Sequence, residues 1–257
     1  MSFFDKKILI LVLMTASCCF PILVHAELSP KKVLDSVYRE YDKKHSCWLT
    51  LNDEQRYCMK IDRTDKIASD TGPRLYVLMA GEAVDDQGEP NGGHATSGLV
   101  GAFIVEERHG QPEIIASNPN IQMGSFGSAP TGWKLIKLGP SDYWGWQNTD
   151  GFTNHGYTNI YCSILAPYGK KIRELAGFPE GFSDEGACIT KRCTSIDSKI
   201  EVDSTRNNEK VFPLRVTVTG KDKGRKLVPK TWTLLFDTTK WSYVEPKTWP
   251  LTGLTDR

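Results

Sequence analysis

The sequence lacks a charge of either sign in excess. It carries 32 Lys and Arg against 31 Asp and Glu. Removing Lys6, Lys7 and Asp5 with a secretory leader leaves 30 of each. A chain near neutrality has no basic surplus to neutralise phosphates, which excludes nucleic acid as the expected partner. Histidine is scarce, with five in 257 residues. No HExxH, HxH or DxDxDG pattern occurs, and there is no paired CxxC. The familiar zinc and calcium frameworks are therefore missing, and no metal or cofactor is expected. A nucleophile elbow is missing too, since GSFGSAP at 124–130 is not GxSxG. Ser125 and Ser128 read as turn residues. Beyond residue 26 no apolar run is long enough to span a bilayer.

What is present begins with the N-terminus. Lys6 and Lys7 precede an apolar run from Ile8 to Val24, interrupted by Ser17 and Pro21. Val24-His25-Ala26 fits a small-residue cleavage site, so residues 1–26 read as a signal peptide and the mature chain starts at Glu27. A membrane anchor, or a lipoprotein modified at Cys18, are the alternatives. The run is short and contains Pro21, and Thr15 is a poor lipobox residue. A periplasmic or secreted location follows.

Five cysteines then remain. In an oxidising compartment Cys47 is expected to bond Cys58, and Cys188 to bond Cys193. Cys162 is left alone in the apolar run NIYCSIL and reads as a small buried hydrophobe.

Residues 29–45 read as a helix, with Ser29 as N-cap and Pro30 in the first turn. Val33, Leu34, Val37, Tyr38 and Tyr41 fall on one face. After that the period changes to two. RYCMKI, RLYVLMAGEAV, GLVGAFIVEE, PEIIAS, WKLIKLG and YTNIYCSILA read as strands. KKIRELAGF at 170–178 reads as a second helical turn. SIDSKIEVD, FPLRVTVTG, KTWTLLFD and WSYVE return to strand. Fifteen of 22 glycines lie between Gly72 and Gly156, marking tight turns or loops of close backbone approach. The expected fold is α+β and β-rich: an N-terminal helix packed on a mainly antiparallel sheet over 27–185, followed by a C-terminal β-meander over 186–257. That meander either folds apart or adds to the same sheet.

One stretch carries the functional question: SDYWGWQNTDGFTNHGY, residues 141–157. Alternation puts Trp144 and Trp146 on one face and Tyr143 on the other. Two indoles on one face are either core or a platform for a sugar or a protein. The loop after them carries Asp150 and His155, and Tyr157 opens the next strand. His94 lies in a second glycine-rich loop, GGHATSG. His45 reads as a residue at the helix C-terminus and His109 as an exposed turn residue. Asp85, Asp86 and Glu89 read as a solvated turn, and Lys221, Lys223, Arg225 and Lys226 as a solvated hairpin. Glu106 and Glu107 point to opposite faces of a strand.

The sequence therefore points first to a non-enzymatic binding protein, an inhibitor or immunity protein against an envelope-targeting enzyme or toxin. Its binding residues are Tyr143, Trp144, Trp146, Asp150, His155 and Tyr157, flanked by the loops at 91–98 and 124–132. A protein partner is expected, with a glycan as the other candidate. Two alternatives stand beside it: an envelope hydrolase using His94, His155 and Asp150, and a carbohydrate-binding module stacking sugars on the tryptophans.

Overall fold

The computed structural model describes residues 28–189 and 192–251. The signal-peptide reading of 1–26, and the lipidation alternative at Cys18, lie outside the described residues. A single α-helix is found among them, α1 (Pro30–Tyr38). It stops seven residues before the expected end. Arg39 turns into the left-handed region with φ 62°, and its N–H donates to the Asp35 carbonyl at 3.2 Å. That geometry caps a helix and cannot extend it. His45, expected at the helix end, instead sits in the turn after the short strand β1 (Glu40–Asp42).

The chain then climbs through a meander of β2 (Cys47–Asn52), β3 (Gln55–Ser69), β4 (Gly72–Val84), β5 (Gly98–Arg108) and β6 (Gln111–Met123), each antiparallel to the one before. A second meander follows: β7 (Lys134–Gly139), β8 (Tyr143–Asn154), β9 (Tyr157–Tyr168) and β10 (Lys171–Ser183). β10 touches β6 in parallel at Lys171 opposite Ser117. Its far end pairs with β11 (Ser195–Val202), and the ladder continues to β12 (Leu214–Asp222). β13 (Arg225–Lys226) and β14 (Lys230–Leu234) both pair with β12. A separate small ribbon joins β15 (Phe236–Asp237) to β16 (Ser242–Tyr243). The fold is β-rich, and strands after residue 186 extend the same hydrogen-bonded sheet through β10 and β11.

The segment 170–178 is thus strand, not helix. Its apolar residues Ile172, Leu175, Ala176 and Phe178 mimic helical spacing because the ladder slips between Glu174 and Ala176. A β-bulge inserts one residue and resets which side chains face inward, so a strand shows a three-residue interval.

Strand alternation separates the core into clusters. Leu75, Val77 and Met79 of β4 are buried with Val33, Leu34 and Tyr38 of α1 and with Trp48 and Phe103. The intervening Tyr76 and Leu78 face another cluster, with Trp133, Trp146, Leu165 and Ile172. The other face of β9 and β10, with Cys162, Ile164, Ala166 and Phe178, is buried with Leu214, Val216 and Leu234. β4, β5 and β9 are therefore covered on both faces, which accounts for their near-continuous apolar runs. Each fully buried large side chain contributes about 1.5–3 kcal/mol of transfer free energy.

Both expected disulfides form. Cys47–Cys58 staples β2 to β3 with Cα atoms 5.4 Å apart, and Cys188–Cys193 closes a short loop at 5.6 Å. Among the described residues Cys162 is the free cysteine, and it is buried. No helix among the described residues is long and apolar enough to cross a membrane.

Candidate functional site

The opening aromatic stretch divides between core and surface. Trp146 is fully buried and meets Tyr76 edge-on at 5.6 Å. It offers no ring face to a ligand, which corrects its reading as a binding residue. Trp144 shares that face and is half-buried, with the Lys137 ammonium 5.9 Å from its ring. Neither indole N–H has a hydrogen-bond partner. Tyr143 points the other way. Its hydroxyl donates to the Pro167 carbonyl at 2.8 Å and its ring meets Trp241. Tyr157 is half-buried against Phe182. Nothing in these four side chains forms a sugar platform, because β8 is packed along both faces over its first half.

Past Trp146 the covering layer ends and the same face of β8 opens. Asn148, Asp150 and Phe152 follow Trp146 at intervals of two, so all three project from that face. The adjacent strand sets Ser163 opposite Asn148 and Tyr161 opposite Asp150. From β10, Glu174 reaches in and accepts a hydrogen bond from the Ser163 hydroxyl at 3.1 Å. These residues floor a cavity of about 360 Å³. Thr149 lies on the opposite face, where its hydroxyl donates to Glu180 at 2.8 Å.

The walls come from the two glycine-rich loops. His94 stands on one and Phe126 on the other, their rings edge-to-face at 4.5 Å. Main-chain bonds tie the loops to each other and to β4: Gly127 N–H donates to the Thr96 carbonyl at 2.7 Å, and Ala83 N–H to the Gly127 carbonyl at 2.7 Å. Close approach requires glycine at two points. A Cβ on Gly92 would collide with the Phe126 carbonyl and the Gly127 backbone, and one on Gly98 with the Ser128–Ala129 backbone. Phe126 itself has φ 53°, a strained setting for a bulky residue. It is held with 56 % of its surface exposed, and Phe152 across the cavity is 41 % exposed.

Asn148 is the polar anchor of the floor. It is 3 % exposed, and its Nδ2 donates to the Thr131 carbonyl at 2.8 Å. That bond fixes the amide, leaving Oδ1 buried without a partner. Glu174 keeps an open edge to solvent, yet the surrounding walls strip hydration from its carboxyl. This raises its pKa above the usual carboxylate range against the opposing Ser163 bond.

Of the sequence-derived candidates, the structure brings His94 and Asp150 to one cavity. His155 is not with them. It occupies the β8–β9 turn with φ 49° and is exposed. Asn148, Phe152, Tyr161 and Glu174 were not foreseen as site residues. The alternation NTDGF carried part of the signal, since Asn148, Asp150 and Phe152 share one parity; Glu174 was hidden by the misread helix. Among the described residues, one cluster of metal-type ligands is found, Asp184 with Cys188 and Cys193. Its two sulfurs are bonded to each other and are not thiolates. Burial pushes the Cys162 thiol far up, so it is no nucleophile at neutral pH. The chain matches no protein-family profile, no curated protein and no solved structure.

Proposed function

We propose that this chain is a non-enzymatic binding protein, periplasmic or secreted, that engages a protein partner through the cavity between β8–β10 and the loops at 91–98 and 124–130. It acts as an inhibitor or immunity protein by seizing one anchoring side chain of an envelope-targeting enzyme or toxin. The carrying observation is the pair Phe126 and Phe152, two exposed rings facing a concave floor with an unpaired buried acceptor. Exposed aromatics around a pocket are the usual composition of an interface centre. The two disulfides fit an oxidising compartment. The binding mode differs from a loop that plugs the partner's cleft: here the concavity belongs to this chain.

The catalytic alternative needs His94, His155 and Asp150 together, and His155 lies in the β8–β9 turn, away from the cavity lining. The glycan alternative needs exposed indoles, and Trp146 is buried. Affinity capture from envelope and secreted extracts, comparing the wild type with Phe152→Asp, tests the proposal. A stoichiometric protein retained by the wild type and lost by the folded variant supports it. Equal capture by both, or turnover of a cell-wall substrate by the wild type, overturns it.

A further inference from the structure

The cavity carries two carboxylates, with His94 at its wall. Its lining includes Asp150 and Glu174, while no lysine or arginine lines it among the described residues. Paired carboxylates alone would be a solvated patch, but Asn148 is an independent observation. Its Oδ1 is buried, unpaired and on the cavity-facing parity of β8, while its amide group is held by Thr131. Rotating the amide would set Oδ1 against the Thr131 carbonyl, so Asn148 has an acceptor only to offer. An unpaired buried acceptor is costly, and a ligand donor recovers that cost. Around these acceptors stand Phe126, Phe152 and Tyr161. Aromatic faces hold a cation as well as an apolar stem.

We infer that the cavity receives an arginine side chain of the protein partner, its guanidinium donating to Asn148 Oδ1 and to the Asp150 and Glu174 carboxylates, its stem lying between Phe126 and Phe152. This rests on the binding reading above. Arginine fits better than lysine for a geometric reason. The acceptors come from different strands, and Asn148 and Asp150 alone are separated by two residues of strand, roughly 6–7 Å. A planar fork with five donors spans such a spread and stacks on rings, whereas an ammonium is a point charge. Glu174 supports the assignment as well: a carboxyl raised by lost hydration gains most from an incoming cation.

The test is an NMR titration of the intact protein with Nα-acetyl-arginine N-methylamide, its citrulline counterpart and its lysine counterpart. Citrulline keeps the shape and removes the charge. The expected result is saturable shifts at the Asn148 side-chain amide, with the citrulline probe at least ~10-fold weaker and the lysine probe between them. Glu174→Gln, at a solvent-reachable position, should weaken the arginine probe by about 5-fold with the fold intact. Citrulline binding as well as arginine, lysine binding better, shifts that avoid Asn148, or no effect of Glu174→Gln would each overturn the inference. Should no probe bind while Phe152→Asp still abolishes partner capture, the arginine assignment falls and the binding protein stands. Should Phe152→Asp leave capture intact, the binding reading falls and takes this inference with it.

Discussion

Asn148 donates from Nδ2 to the Thr131 carbonyl at 2.8 Å across the floor of the cavity. This single bond fixes the amide, because Nδ2 is held by Thr131 and Oδ1 is left as the buried, unpartnered end of a side chain only 3 % exposed. Replacing the amide by a carboxylate of the same shape reverses the situation. In Asn148→Asp an anionic oxygen takes the place of Nδ2 against the Thr131 carbonyl in a desolvated setting. The folded-state pKa of the new carboxyl would be raised, so its contribution is benign in acid and becomes destabilising as pH rises. The variant should unfold like the wild type at about pH 4 and be destabilised by about 3 kcal/mol at about pH 7.5. Urea unfolding at the two pH values checks this, and equal stability at both would contradict the burial of the amide.

Gly92 sets the position of Phe126. In Gly92→Ala the new Cβ would meet backbone atoms of Phe126 and Gly127, so the 124–127 loop must shift. The expected cost is about 1–3 kcal/mol, the range for overpacking a rigid contact. Partner binding should fall further than stability does, since Phe126 moves with the loop. Thermal unfolding and partner affinity, measured on the same preparation, separate the two effects.

Glu106 is a structural carboxylate. It is 2 % exposed and is held by Thr71, Arg74 at 3.1 Å and Arg108 at 2.9 Å. The Thr71 hydroxyl first, and then the arginines, depress its pKa against the cost of burial. A depressed folded-state pKa gives stability that is present above the ordinary carboxylate range and lost as pH falls through the lowered value. Glu106→Gln should cost about 2 kcal/mol at neutral pH, because two guanidinium groups lose their counter-charge. The gap to wild type should close in acid. A gap that persists below the carboxylate range would refute the assignment.

Cys162 should be silent in the native state. Its thiol is buried and its pKa is pushed far up, chiefly by lost hydration. Alkylation of the chain from Glu27 onward at mild alkaline pH should proceed at least ~100-fold more slowly than in denaturant, where its one thiol becomes reactive under non-reducing conditions. Fast native labelling would mean that β9 opens readily.

Much of the architecture was legible. Two-residue alternation with Gly, Pro and Asn punctuation marked β3 to β7 and β9, cysteine spacing in a secreted context marked both disulfides, and the second half of β8 read as a loop. Where the reading failed, a nonlocal pairing intervened. The 29–45 helix stopped at Tyr38 because residues 40–42 pair with β2. The 170–178 segment looked helical because its bulge is visible only against β9.

The site was half legible for the same reason. The sequence by itself put Trp144 and Trp146 on one face of an extended segment, since alternation is a property of the backbone, while the polar, glycine-bearing residues after them read as a loop. It also placed glycine at the positions where two loops can touch. Only the tertiary structure decided that Tyr76 covers Trp146 while nothing covers Asp150, so that one face changes from core to cavity floor within four residues. Burial depends on which other layer lies above a residue. That layer is supplied by β4 and β5, dozens of positions away, and no local pattern records where it ends.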